Sequence, residues 1–144
     1  MLSVNIVCVG NLKEKWLREA AAEYEKRLSR FCRLTVTELP EQTPEKEKEK
    51  ILKKLSGYVI ALCVEGTQMS SEELSSKMEK LTMQTSEITF VIGSSEGLAD
   101  EVKARADFKL SFSKFTFPHQ LMRVVLLEQI YRAFTIQNNI TYHK

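Results

Sequence analysis

Apolar and polar residues change their period along this chain in a repeating order. Ser3–Val9 alternates and is rich in Val and Ile, which predicts a strand closed by the turn pair Gly10-Asn11. Lys13–Leu28 then takes helical spacing, with Trp16, Ala20, Tyr24 and Leu28 expected on one face. Arg33–Leu39 alternates again and stops at Pro40. Pro44–Leu55 is dense in Glu and Lys and predicts a solvated helix or connection, anchored by Ile51, Leu52 and Leu55. Tyr58–Val64 is a continuous apolar run between Gly57 and Gly66, the pattern of a strand buried on both faces. Ser70 with Glu73 three residues on predicts a capped helix through about Met83.

The second half repeats the order. Glu87–Ile92 reads as a strand, Gly93–Gly97 as a small-residue loop, Leu98–Ala106 as a short helix and Phe108–Leu110 as a short strand. Ser111–Phe117 reads as a loop, and Pro118 is suited to open the last helix, His119–Gln137. Its apolar positions run too far round for a helix that covers a sheet on one side only. It is expected to be almost enclosed, by its own domain or by a second subunit. Strands alternating with helices place the chain in the α/β class, with a mostly parallel sheet and helices on both faces. No repeat or linker divides it, so a single domain over 1–144 is expected.

Composition narrows the function classes. The 144 residues carry 21 Lys and Arg against 19 Asp and Glu, a net charge of +2, which excludes a polycation that binds nucleic acid by bulk charge. The basic excess lies towards both ends, and the stretch 55–92 is acidic. Cys8, Cys32 and Cys63 give neither a disulfide framework nor a paired metal spacing; Cys8 and Cys63 sit in apolar runs as small hydrophobes. The N-terminus lacks a signal-peptide pattern, and no apolar run reaches the roughly 20 residues of a membrane span. A soluble, reduced, cytoplasmic protein with no membrane partner is expected.

In open α/β sheets, ligands settle at the C-terminal ends of strands. Three loops qualify: Cys63–Gly66, Gly93–Gly97 and Ser111–Phe117. The chain has no G-x-G-x-x-G after its first strand, no phosphate-binding Gly-Lys-Ser/Thr loop and no nucleophile elbow. Its two histidines, His119 and His143, belong to no cluster with zinc spacing, so no metal is expected.

At this point the residues resemble a known family. The segments Val91–Leu98 and Leu110–Phe134, the ending Tyr142-His143-Lys144 and the start Val9–Trp16 are similar to the small ribosomal RNA methyltransferases of the SPOUT class, nearly end to end. The resemblance implies an α/β fold whose C-terminal part is threaded into a trefoil knot, and a homodimer. It implies binding of S-adenosylmethionine and methylation of N3 of a pseudouridine in helix 69 of large-subunit ribosomal RNA. Carried over by position, the cofactor residues are Leu62, Gly93, Phe112, Ser113, Lys114, Phe115, Thr116 and Phe117. His143 is the first candidate to assist loss of the N3 proton, as a base or by stabilising the anion, and Tyr142 to stack on or hydrogen-bond the target base. His119, Arg123 and Arg132 are expected on the substrate, the arginines as phosphate clamps. Lys103, Arg105, Lys109 and Lys114 are further candidate phosphate contacts, and one subunit's tail is expected to complete its partner's site. Two positions depart from the family pattern: Ser94 stands where a second glycine is common, and Cys63 where an acid is. If a glycine conformation is needed at 94, the loop is expected to bend or the pocket to narrow. A non-catalytic RNA-binding module on the same fold is the competing reading.

Overall fold

The structure, a computed structural model, describes residues 1–144. Five strands, β1 (Ser3–Val9), β2 (Arg33–Leu39), β3 (Tyr58–Gln68), β4 (Glu87–Ile92) and β5 (Phe108–Ser111), form one sheet in the order β2-β1-β4-β3-β5. Every neighbouring pair is parallel. The connecting helices are α1 (Lys15–Leu28), α2 (Pro44–Leu52), α3 (Ser71–Leu81), α4 (Asp100–Arg105) and α5 (His119–Gln137).

The period of two along the strands sorts side chains to opposite faces. Val4, Ile6 and Cys8 of β1 join Ile60, Phe90 and the buried residues of α1, α3 and α5 in one core. Val7 and Val9 join Val59, Val91, Ile51 and Val102 beneath α2 and α4 in the other. Both sheet faces are covered, as the apolar run in β3 requires. No helix is long and apolar enough to cross a membrane.

Three local expectations need correction. The buried stripe of α1 runs through Leu17, Ala21 and Leu28, with Tyr24 packed beside it, while Trp16 is exposed, so the expected face holds in the second half of the helix and gives way to Leu17 and Ala21 in the first. The charge run in α2 is solvated except at Glu47, whose carboxylate is drawn inward to accept from the Gln42 amide at 2.6 Å. β3 does not stop at Val64 but continues to Gln68. Its polar end is held by backbone pairing: Leu110 of β5 is paired first with Leu62 and again with Thr67. Where β3 passes β5, a Cβ at Gly66 would stand 2.7 Å from the Lys109 carbonyl oxygen, so only glycine fits.

The last helix is enclosed mainly by its own domain. It packs between α1 and α3 over the sheet and buries Leu126, Leu127, Ile130, Ala133 and Phe134. Phe31 stacks on Phe134 with ring centroids 5.6 Å apart. Leu121, Met122, Val124 and Val125, in the first half of α5, stay only partly buried.

Candidate active site

The three loops singled out at strand ends meet around one cleft of about 370 Å³. That lies in the range of small-molecule sites, about 300–1,000 Å³. Leu62, Ile92, Leu98, Leu110 and Met122 give it apolar walls, and Glu65, Lys103, Ser113 and Thr116 give polar ones. Of the residues carried over as cofactor ligands, Leu62, Gly93, Phe112, Ser113, Phe115, Thr116 and Phe117 line this cleft. Lys114 is exposed and points away from the lining.

Local chemistry explains the loops. Gly93 is buried, and a Cβ there would lie 2.5 Å from the Gly97 carbonyl oxygen, so the turn closes only with glycine at 93. Ser94 does not take a glycine conformation: apart from glycines, only Asn139 has positive φ. Its hydroxyl accepts from the Glu96 amide at 3.4 Å, and the backbone bridges to Gly97. The turn therefore holds a side chain at 94 without positive φ. Cys63 turns its buried thiol back on the Ala61 carbonyl, and burial pushes its pKa up, so it forms part of the wall as a neutral group. In the third loop the Ser111 hydroxyl donates to the Ser113 carbonyl at 3.1 Å, and the Ser113 hydroxyl accepts from the Phe115 amide at 3.0 Å. These local bonds hold a segment that has no ladder of its own.

His119 joins the same cleft from the first turn of α5. Its Nε2 is buried without a hydrogen-bond partner, 3.7 Å from the Glu41 carboxylate. That atom faces the ends of β1 and β2, where it would lie 3.8 Å from a Cβ at Gly10. His119, expected on the substrate, shares one cleft with Leu62, Gly93 and Phe112. No group of three or more His, Cys, Asp or Glu side chains is arranged to hold a metal.

Both arginine assignments need correction. Arg123 is buried, its guanidinium pairing with Glu38 and donating to the Gly10 carbonyl at 2.8 Å. It ties β1 and β2 to α5 and has no face left for a phosphate. Arg132 divides its fork between its own helix and the tail, donating to Glu128 through Nη2 at 2.6 Å and to His143 Nδ1 through Nη1 at 3.0 Å. Of the other candidate phosphate contacts, Lys103 pairs with Glu65 at 2.7 Å and Arg105 with Asp107 at 3.7 Å, while Lys109 and Lys114 carry no ion pair.

The tail stands apart from the cleft. Tyr142 donates its hydroxyl to Glu128 at 2.7 Å, packs edge-on against Tyr131 and lies under Arg132. His143 Nε2 meets the Glu72 carboxylate of α3 at 3.0 Å. Glu128, absent from the sequence-based candidates, is the hub of this cluster. Its signal was available: it precedes Arg132 by one helical turn, the spacing of a stabilising acid–base pair.

Comparison with known proteins is consistent over the whole chain. Residues 2–143 match the model of the family described as "Predicted SPOUT methyltransferase". The chain is 50% identical to Ribosomal RNA large subunit methyltransferase H 1 of Clostridium perfringens, covering 99% of this chain and all of that one. It is 48% identical to Ribosomal RNA large subunit methyltransferase H of Finegoldia magna, with the same coverage. Among solved structures it is similar in fold to methylase family proteins from Haemophilus influenzae and Neisseria gonorrhoeae. Both comparisons give a TM-score of 0.58 and cover 98% of this chain. The first is 17% identical and 70% covered, the second 11% identical and 86% covered.

Proposed function

From the premise that this chain belongs to the SPOUT methyltransferase family, we propose that it methylates large-subunit ribosomal RNA at N3 of a pseudouridine in helix 69. It uses S-adenosylmethionine and acts as a homodimer on assembled ribosomes in the cytoplasm. The observation that carries this reading is the convergence of residues 62–65, 93–98 and 112–117 on one cleft, in a chain half identical to methyltransferases of that name along their full length.

The cleft suits the cofactor. Leu62, Phe112 and Phe117 offer apolar surface for an aromatic base, and Ser113 and Thr116 offer hydroxyls. S-adenosylmethionine would supply a methyl group already activated on a sulfonium, the C–S electron pair remaining on sulfur. The protein's part is then to orient and to manage the N3 proton. Orientation alone can contribute roughly 7–11 kcal/mol, and assistance with a proton about 10²–10⁴-fold in rate.

The reading also includes the trefoil knot, supported by the double pairing of Leu110 with β3 and the close passage of Gly66. The dimer is supported by the partly buried residues of the first half of α5, beside exposed Phe115 and Phe117. Because Tyr142 and His143 lie away from the cleft of their own subunit, the tail of one subunit serves the cleft of its partner. Lys109 and Lys114 are left as phosphate contacts.

Incubation with labelled S-adenosylmethionine and ribosomes lacking the modification tests the proposal, followed by mapping of the methyl group. Label at N3 of the helix 69 pseudouridine is expected. No incorporation, together with no heat of cofactor binding, would favour a non-catalytic RNA-binding module. Light scattering at micromolar concentration is expected to give twice the chain mass of 16.6 kDa.

A further inference from the structure

Arginine has five N–H groups and no acceptor, and it stays protonated at all relevant pH. Arg132 Nη1 stands 3.0 Å from His143 Nδ1, so that nitrogen must present its lone pair. The imidazole proton is then on Nε2, which donates to Glu72 at 3.0 Å. A second proton on the ring would face the guanidinium directly. His143 in this setting is a neutral donor with no free lone pair, which is the opposite of a general base.

What fixes Arg132 is Glu128. One of its oxygens accepts from Arg132 Nη2 at 2.6 Å and from the Tyr142 hydroxyl at 2.7 Å, and the other lies 3.4 Å from Arg132 Nε. The charged and titratable groups around His143 are Arg132 and Glu128 from α5, Glu72 from α3 and Tyr142 from the tail itself. Tyr24 of α1 lies behind Tyr142. Glu72 is largely exposed, so water already competes for its bond from Nε2 and a better acceptor can replace it.

We propose that Glu128 is a positioning residue for methyl transfer: through Arg132 it holds His143 as the Nε2–H tautomer, and His143 acts as a hydrogen-bond donor to the base that loses its N3 proton. The inference rests on the reading under Proposed function. The N3–H proton leaves to water. The negative charge spread over N3 and the adjoining carbonyl oxygens accepts from Nε2–H in place of Glu72, and the nitrogen lone pair forms the new N–C bond. Preorganised donors aimed at developing charge are worth about 10²–10³-fold in rate.

Three measurements test it on the full-length protein. In ¹⁵N NMR of the free protein, the imidazole assigned to His143 by loss in His143→Gln is expected as the Nε2–H tautomer. In Glu128→Gln the ring is expected to populate both tautomers. Second, the Gln amide nitrogen can mimic Nε2–H but cannot act as a base. His143→Gln is expected to keep kcat within about 10-fold of wild type, with His143→Ala losing about 100-fold or more. Third, Glu128→Gln is expected to lower kcat with S-adenosylmethionine affinity unchanged. A wild-type His143 ring that carries its proton on Nδ1 overturns the proposal. So does a His143→Gln variant as inactive as His143→Ala. Failure of the wild-type protein to methylate ribosomes would instead overturn the functional reading, and the NMR result would still decide the Glu128–Arg132–His143 chain.

Discussion

Arg123 and Gly10 lie 113 positions apart in sequence, yet the guanidinium of one donates to the carbonyl of the other across 2.8 Å. The same guanidinium pairs with Glu38 at the end of β2, so one side chain of α5 joins the ends of the first two strands. Removing it leaves a carboxylate and a carbonyl unpaired. Arg123→Ala is expected to lower unfolding stability by about 2–4 kcal/mol, read from urea titration. Arg123→Lys should recover part of that loss, because an ammonium cannot span both partners as a planar fork does. A stable Arg123→Ala protein that loses only RNA affinity would reverse this assignment.

The two glycines that bracket the second loop should respond differently. Gly93→Ala brings a Cβ to 2.5 Å from backbone at Gly97, so the cleft wall must move. Calorimetry is expected to show at least 10-fold weaker S-adenosylmethionine binding. Gly97→Ala meets nothing within 4 Å but holds φ at +86°. Its expected cost is about 1–2 kcal/mol of stability, with a smaller effect on affinity.

Ser94→Gly tests whether the departure from a paired glycine matters. Ser94 has an ordinary negative φ and its hydroxyl supports the Glu96 amide. Restoring glycine is expected to leave affinity within about 3-fold and to lower stability by about 0.5–1 kcal/mol, from the added freedom of the unfolded chain. A large gain in affinity would mean that the serine obstructs the cleft.

The buried thiols predict a pH dependence. Burial raises the pKa of Cys8 and of Cys32 from 9.0 to about 11. The folded state therefore holds these protons more tightly than the unfolded chain. Their contribution to stability is complete below about pH 9 and is lost as pH rises towards 11, on the order of 2–3 kcal/mol per thiol. Urea midpoints measured across that window should fall. At pH 8, mass spectrometry after iodoacetamide treatment should show slow labelling of native protein and rapid labelling in denaturant.

Capping at Ser70 is a local test. Its hydroxyl accepts from the Glu73 amide at 3.1 Å, and Glu73 reaches back to the Ser70 amide at 2.8 Å. Ser70→Ala is expected to cost about 1 kcal/mol in the same titration.

Much of this was determined by the sequence alone, where the cause is local. The alternation in Ser3–Val9, the two-sided apolar run in β3, the capping box and the proline before α5 each fix an element through the backbone and side chains of its own segment. The strand-end rule was enough to select the loops that form the cleft, because a parallel sheet gathers all its C-terminal ends on one edge. The tertiary structure decided whatever depends on a partner distant in sequence. The exposed end of β3 is a strand because Leu110 pairs with it twice, and no periodicity could register that. Arg123 looks like any helix arginine until Glu38 and Gly10 arrive beside it, and desolvation then makes it structural. The hydrogen-bond partners of His143, Arg132 and Glu72, are likewise brought to it from two different helices. A side chain's type sets what it can donate or accept; the groups that the fold packs around it decide which of these it does.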